Sequence, residues 1–163
     1  MPEISDKAGF DAVITAPFGA VGITVANDYV TGIKLIPGPV APYCAEQPFV
    51  QHVVLKVRQY LEDAANPLDI PYLLQGTLFQ KRVWQAMAQI PLGQAWTYGE
   101  LAEHVGSGPR AVANVCGANN LPLLIPCHRI VAKAGIGGFM QGEKQGLEIK
   151  RWLLRHEQVD GYR

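Results

Sequence analysis

Residues 11–37 constrain the fold most, because they have the composition of β-strands while most of the later sequence has the pattern of helices. The stretches AVITAPFG, VGITVAND and YVTGIKLIP are rich in Val, Ile and Thr and are punctuated by Gly and by Asn27-Asp28. β-Branched residues favour strands, and Gly and Asn favour the turns between them. The pattern predicts an antiparallel hairpin or a three-stranded meander.

The next pattern along the chain is helical. Its apolar residues recur at helical spacing: Phe49, Val50, Val53, Val54, Val57, Tyr60 and Leu61. Such a stripe predicts one amphipathic helix, which we expect to cover a face of the sheet. Pro67 and Pro71 then predict an extended connector. We therefore place a domain boundary there and expect one domain over residues 1–75 and a second over residues 76–163.

The second half is predicted to be mostly helical. TLFQ at 77–80 and TYGE at 97–100 are capping boxes, each of which starts a helix. The helix after Thr97 ends at the GSG of residues 106–108, and Pro109 opens another short helix that closes at Gly117. Two short helices joined by a three-residue glycine turn match the dimensions of a helix-turn-helix, although any helical hairpin has the same pattern.

Composition narrows the class of protein. No run of about 18 apolar residues occurs, and the start, MPEISDKAGF, lacks the basic and apolar regions of a signal peptide. Three cysteines without C-x-x-C spacing argue against a disulfide scaffold or a finger-type zinc site. We expect a protein without a membrane partner, with reduced thiols, in the cytoplasm.

The net charge of zero hides an uneven distribution. Residues 1–80 carry four Lys or Arg against eight Asp or Glu, and the remaining residues carry ten against six. The second half is therefore the part that can meet phosphates. A chance partition of the charges explains the same numbers, so this observation supports a nucleic-acid partner without proving it.

The segment LLIPCHRIV at 123–131 places Cys127 beside His128 and Arg129. A thiol reacts as its thiolate, and a nearby imidazolium or guanidinium lowers the thiol pKa, whereas apolar surroundings raise it. We expect the neighbours of Cys127 to keep its sulfur anionic. A buried structural cysteine beside a surface histidine is the plain alternative. Cysteine protease chemistry and a metal site both lack their usual partners here, so alkyl transfer to sulfur is the least demanding of the catalytic options.

The ordered set of motifs around this thiol resembles the methylated-DNA–protein-cysteine methyltransferases, the O6-alkylguanine-DNA alkyltransferase family. The matching stretches are FQKRVWQAMAQIPLGQAWTYGELA, RAVANVCGANN, NNLPLLIPCHR, the GGF of residues 137–139 and KRWLLRHE at 150–157. The resemblance covers residues 76–158 strongly. It covers the N-terminal part in outline, as a ribonuclease H-like sheet with a covering helix, so that the whole is an α/β fold.

The resemblance implies roles for five residues in transfer. Cys127 is the alkyl acceptor and keeps the group as a thioether, so that each molecule acts once. His128 takes the thiol proton through a water, and Glu157 orients the imidazole. Asn119 orders the turn before the thiol. Tyr98 presses on the phosphate of the target nucleotide and helps to neutralise the departing guanine.

The resemblance also implies how DNA is bound. The damaged nucleotide rotates out of the duplex, and Arg110 fills the gap that it leaves. The helix that carries Ala111 and Ala113 lies in the minor groove, where small residues allow close approach, and Arg129 is counted among the DNA contacts. Binding is expected to be nearly independent of sequence. The expected substrates are O6-alkylguanine and O4-methylthymine in duplex DNA, and the expected state is a monomer, with clustering on DNA left open.

Departures from the family pattern affect the base pocket, which the resemblance assigns to Gly138, Phe139 and Met140. Phe139 stands where tyrosine is common, and Met140 where a small hydroxyl residue is common, so the range of alkyl groups stays open. The linker QGEKQGL at 141–147 is longer than usual. Only Cys44 and His52 could bind zinc in the first half, so we expect no metal and no cofactor. The alternatives are a non-catalytic helix-turn-helix regulator and a lesion-binding protein without transfer.

Overall fold

The structure is a computed structural model that describes residues 9–139 and 144–162. Contacts divide the chain into two compact units, one ending at Leu73 and one beginning at Leu74. Both strands and helices are present, and the predicted α/β class is confirmed. Across the described ranges, no helix combines the length and apolar character needed to cross a bilayer.

The first unit is built on an antiparallel sheet. Its strands are β1 (Ala12–Ala16), β2 (Gly19–Ala26), β3 (Tyr29–Pro37) and the short β4 (Tyr43–Cys44), in the order β3-β2-β1-β4. The predicted three-stranded meander is therefore confirmed, and β4 extends it along the free edge of β1. Both residues of β4 are exposed, so no apolar pattern in the sequence predicts this strand.

The turn between β2 and β3 follows from its two residues. Asn27 and Asp28 have φ angles of 51° and 61°. Two successive positive φ angles match the twist of a tight hairpin, and Asn and Asp tolerate them better than other residues with a side chain. This turn sets the register in which Ala26 pairs with Tyr29.

The predicted covering helix is α1 (Pro48–Glu62), which contacts β1 and β4. Pro48 occupies the first helical position, where its missing N–H costs nothing. The buried side chains form one stripe: Val50, Val53, Val54, Val57 and Tyr60. The helix thus covers the sheet with the apolar face that its spacing predicts.

The second unit begins with three helices, α2 (Leu78–Met87), α3 (Tyr98–Val105) and α4 (Pro109–Gly117). Both predicted capping boxes are present, since Thr77 and Thr97 each accept from the backbone N–H three residues on. Gly106 ends α3 in the left-handed conformation with φ 71°. The α3 and α4 helices therefore have the predicted bounds and the predicted short turn between them.

A short parallel pairing brings distant parts of the second unit together. Strand β5 (Trp96–Thr97) pairs with β6 (Ile130–Val131), with Thr97 opposite Val131. Because α3 begins at the residue after Thr97, the pairing places the start of α3 beside the segment that carries the thiol. Neither strand was predicted, because two residues are too few to show a period.

The last helix, α5 (Lys144–His156), starts earlier than expected. Residues 144–147 were assigned to a long linker, but they form the first turn of this helix, which corrects that assignment. The rest of the linker, residues 141–143, lies outside the described residues. Leu153 and Leu154 of α5 are fully buried.

Candidate active site

Cys127 opens a single turn of 3-10 helix, Cys127–Arg129, that runs directly into β6. Its side chain borders a cavity of about 250 Å³ within the second unit. The cavity is lined by Tyr98, Ala113, Cys116, Gly117, Asn119, Pro122, Cys127, Gly138 and Phe139. The expected acceptor thiol therefore faces a space of the size that a single flat ring system needs.

The Cys127 thiol is neutral at rest. Burial raises its pKa to about 11, and the hydrogen bond from the Asn119 side chain and the positive charge of Lys150 only partly oppose this. This corrects the expectation that its neighbours keep the sulfur anionic. Apolar surroundings dominate because transfer of a thiolate out of water is costly. Any reaction at this sulfur requires removal of its proton at the time of attack.

His128 and Glu157 form the expected pair. Nε2 of His128 lies 2.9 Å from Oε2 of Glu157, at ion-pair distance but outside good hydrogen-bond geometry. Burial lowers the His128 pKa more than Glu157 raises it, so the imidazole is neutral at neutral pH. Its Nδ1 is buried, and within residues 9–139 and 144–162 no hydrogen-bond partner reaches it. The Nδ1 atom of this imidazole is therefore available to accept a proton in the same turn that carries the thiol.

Arg129 has a different role from the one predicted. Its Nε and Nη2 donate to the two carboxylate oxygens of Glu157 at 2.7 and 3.1 Å, and its Nη1 donates to the carbonyl of Ile90 at 2.7 Å. The side chain is only 14% exposed. A guanidinium held on three acceptors inside the protein is unsuited to a DNA phosphate, so this expectation is corrected.

The carboxylate of Glu157 is strongly acidic. Burial alone would raise its pKa, but the adjacent His128 and Arg129 outweigh burial and lower it. Arg129 accounts for the lowered pKa of Glu157, because a guanidinium is charged at every relevant pH whereas His128 is neutral. Glu157 thus remains ionised, accepts two hydrogen bonds from Arg129 and lies 2.9 Å from Nε2 of His128.

Asn119 holds the turn before the thiol, as expected. Its Nδ2 donates to the carbonyl of Ile125 at 2.8 Å, and its Oδ1 accepts from the N–H of Leu121 at 2.8 Å. Between these residues Leu123 takes a φ of 76°, which is strained for a branched side chain. The amide therefore bridges a turn that contains a strained residue.

Tyr98 is the first residue of α3 and borders the same cavity as Cys127. Its hydroxyl accepts from the N–H of Gly138 at 3.3 Å, and burial raises its pKa. Gly137 lets this approach happen, because it has a φ of 77° and an added Cβ would lie 3.0 Å from the Tyr98 ring. The structure thus joins Tyr98 to the base-pocket segment.

The remaining predicted site residues are divided. Phe139 is buried and lines the cavity with Gly138 and Ala113, whereas Met140 lies outside the described residues. Arg110 is exposed in the first turn of α4, and Ala111 follows it half-buried. Neither Arg110 nor Ala111 borders the cavity, whereas Ala113 does. Helix α4 therefore carries predicted site residues both at the cavity and away from it.

Two residues near the thiol were missed in the sequence. The Sγ of Cys116 lies 3.8 Å from Sδ of Met87, and this residue also borders the cavity. Burial raises its pKa to about 12. Lys150 is fully buried. The sequence does indicate this burial, because Lys150 precedes Leu153 and Leu154 by three and four residues and so lies on the apolar face of α5.

The site therefore consists of the buried Cys127 thiol and the Tyr98 ring at one cavity, with the neutral imidazole of His128 in the residue after the thiol. Residues 78–159 match the family described as 6-O-methylguanine DNA methyltransferase, DNA binding domain. This chain belongs to that family.

Individual relatives agree with this assignment. A methylated-DNA–protein-cysteine methyltransferase of Methanosarcina acetivorans is 30% identical over 155 residues, which cover 90% of this chain and 96% of that protein. A protein of the same name from Shigella flexneri is 40% identical over 105 residues, 63% of this chain and 60% of the other. The chain spans between about half and two thirds of the length of several such relatives.

Solved structures share the fold. The crystal structure of Mycobacterium tuberculosis O6-methylguanine methyltransferase superposes with a TM-score of 0.75 at 28% identity, over 90% of both chains. The structure of the Mycobacterium tuberculosis protein in complex with DNA gives a TM-score of 0.74, over 90% of this chain and 91% of that one.

Proposed function

We propose that this chain repairs DNA by moving an alkyl group from the O6 atom of guanine to Sγ of Cys127. The observation that carries the proposal is the thiol itself, buried at the wall of a ring-sized cavity that also holds Tyr98 and Asn119. Membership of the methyltransferase family and a fold shared with a DNA-bound relative support it. The proposed reaction needs no cofactor.

In the proposed reaction, the Sγ–carbon bond forms as the carbon–O6 bond breaks. The thiol proton passes through a water to the neutral His128, whose Nδ1 is free to accept it. Tyr98 supplies a proton to the departing guanine and is reprotonated from solvent, to which His128 releases the proton that it took from the thiol, so that protons and charge balance. Because a thioether is stable, the chain acts once, as a stoichiometric reagent.

The cavity can receive a base only if the nucleotide leaves the stack. We propose that Arg110 occupies the vacated position, since it is exposed and stands at the start of α4, the helix that also carries the cavity residue Ala113. The contact is expected in the minor groove, independent of sequence and by a monomer. O4-methylthymine is proposed as a second substrate, because it presents an alkyl group on a similarly placed oxygen.

The decisive experiment is a mass measurement. A duplex with one O6-methylguanine is mixed with excess protein, and the intact mass and the modified peptide are determined. We expect a gain of one methyl group, located on Cys127 and never exceeding one per chain. Cys116→Ser is the matched control, because it removes the other thiol of the cavity and should still gain the methyl group.

The outcomes separate the alternatives. Binding of the damaged duplex without any mass gain would identify a lesion-binding protein, and preference for one DNA sequence irrespective of damage would identify a regulator. Methylation that persists in Cys127→Ser would assign the acceptor to another residue and contradict the proposal.

A further inference from the structure

Lys150 is a buried cation that contacts the segments of the proposed site, and no step of the proposed reaction uses it. Its residue is 0% exposed, although it carries an ammonium group. Lysine is almost never fully buried without a compensating partner, because an ammonium loses several kcal/mol of hydration in the interior. Such a position requires a structural or chemical reason.

The contacts of Lys150 connect two walls of the site. Its Nζ donates to the carbonyl of Ile130 at 2.6 Å and to the carbonyl of Gly138 at 2.8 Å. Ile130 follows the turn that holds Cys127, and Gly138 borders the cavity and binds Tyr98. One ammonium thus fixes the thiol segment relative to the base-pocket segment.

The same ammonium is electrostatically coupled to the thiol. Its positive charge lowers the pKa of Cys127, and Cys127 in turn raises the pKa of Lys150. In the parts of the chain that are described, no carboxylate forms an ion pair with Lys150. Its charge is therefore available to a sulfur that becomes anionic.

The other charged or titratable groups around the thiol do not supply this charge. Arg129 is compensated by Glu157, and His128 is neutral at neutral pH. Cys116 of α4 and Tyr98 of α3 both have raised pKa values and are neutral. Among the residues that the structure describes around the thiol, Lys150 of α5 is therefore the cation that can favour the thiolate.

We propose that Lys150 is a positioning residue for alkyl transfer, whose buried ammonium holds the cavity walls together and stabilises the negative charge that develops on Cys127. This inference rests on the proposed function. It predicts that removal of the charge, with the hydrogen bonds retained, slows the reaction of the sulfur by making its proton harder to remove.

The test compares Lys150→Gln, Lys150→Arg and the exposed control Arg151→Gln in the full chain. Gln can still donate to the two carbonyls, and Arg keeps the charge. The rates of Cys127 alkylation by iodoacetamide and by the free base O6-benzylguanine are measured from pH 7 to 9.5. At pH 7 we expect Lys150→Gln to react about tenfold more slowly than wild type, equivalent to about one unit in the thiol pKa, and Lys150→Arg and Arg151→Gln to stay close to wild type. Above about pH 8 the wild-type rate should approach that of Lys150→Gln, because the wild-type ammonium loses its charge there.

The wild-type profile supplies a second measurement that needs no folded variant. Burial lowers the pKa of Lys150 to about 8, so its charge is lost within this pH range. The logarithm of the rate should rise with pH, flatten near pH 8 as the ammonium loses its proton, and then rise again. Lys150→Arg, which stays charged, should show no flattening.

The results distinguish failure of the inference from failure of the proposed function. No reaction of the wild type with O6-benzylguanine, or with damaged DNA, would defeat the proposed function. A reactive wild type without the inflection, or a Lys150→Gln profile that overlies wild type, would overturn the role of Lys150. Equal losses in Lys150→Gln and Lys150→Arg would also overturn it, because they would assign the effect to packing and not to charge.

Discussion

Glu157 is the residue whose removal should cost the most stability at the site. Its carboxylate is fully buried and neutralises Arg129 through two hydrogen bonds. Glu157→Gln leaves the guanidinium buried without a counter-charge, and breaking such a pair costs about 3–5 kcal/mol. We expect urea unfolding to show a loss of this size. Glu148→Gln, on the exposed face of α5, is the control and should change little.

The same carboxylate should make stability depend on pH. The pKa of Glu157 in the folded chain lies below its usual value of 4.5. A group with a lowered folded pKa stabilises the fold above its unfolded pKa, and that contribution is lost as the pH falls toward the folded pKa. Wild type should therefore lose stability progressively below about pH 4.5. In Glu157→Gln this part of the acid loss should vanish, and parallel acid profiles for the two proteins would contradict the assignment.

At the scale of elements, the two capping boxes allow a matched comparison. Thr77 and Thr97 make the same pair of capping hydrogen bonds, but only the helix after Thr97 begins with Tyr98. Loss of such a cap costs about 1 kcal/mol. Thr77→Ala and Thr97→Ala should thus unfold at similarly reduced urea concentrations. Only Thr97→Ala should also slow the transfer from a methylated duplex. Equal transfer rates in the two variants would show that the start of α3 does not affect the reaction.

The start of α4 should matter only for duplex substrates. Arg110 is exposed there and does not border the cavity. Because a free base needs no extrusion from a stack, Arg110→Ala should leave the rate with O6-benzylguanine within about twofold, while repair in duplex DNA slows by about tenfold or more. The two rates are measured by mass gain under single-turnover conditions. Equal losses with both substrates would exclude the proposed stacking role.

The long elements could be predicted from sequence and the short ones could not. α1, α2, α3 and α4 carry apolar stripes, caps and breakers within their own residues, so local chemistry suffices to place them. Strands β5 and β6 have two residues each and exist because segments more than thirty residues apart pair. No local pattern records such a pairing, although it sets the position of Tyr98 beside the thiol segment.

The site divides in the same way. Cys127 and His128 were found from a dipeptide, and Asn119 and Glu157 only through the resemblance. The direction of the Cys127 pKa was wrong, because burial depends on what surrounds the turn and not on the adjacent residues. Arg129 was misassigned for a related reason. Its partner Glu157 is 28 residues away, so sequence alone presents a free cation.

At the scale of the whole molecule, the fold shows that some of the charges counted in the second half of the sequence are buried. Of the ten cations after residue 80, Arg129 and Lys150 are inside the protein, as is the acid Glu157. The other charged residues after residue 80 carry a net charge of plus three. From this small excess we expect DNA binding to use few phosphate contacts.

This small excess sets the expected salt dependence of DNA binding. About three phosphate contacts predict a slope of about −2.7 for the logarithm of affinity against the logarithm of salt, a loss of about 40-fold between roughly 50 and 200 mM. Fluorescence anisotropy with an undamaged duplex measures it. Lys133→Gln, at an exposed position of the second unit, should lower the slope by about one, whereas Lys34→Gln, in the acidic first unit, should leave it unchanged. A much steeper slope, or an equal effect of both variants, would mean that the acidic half also meets the phosphates, since only additional cations can release additional counterions.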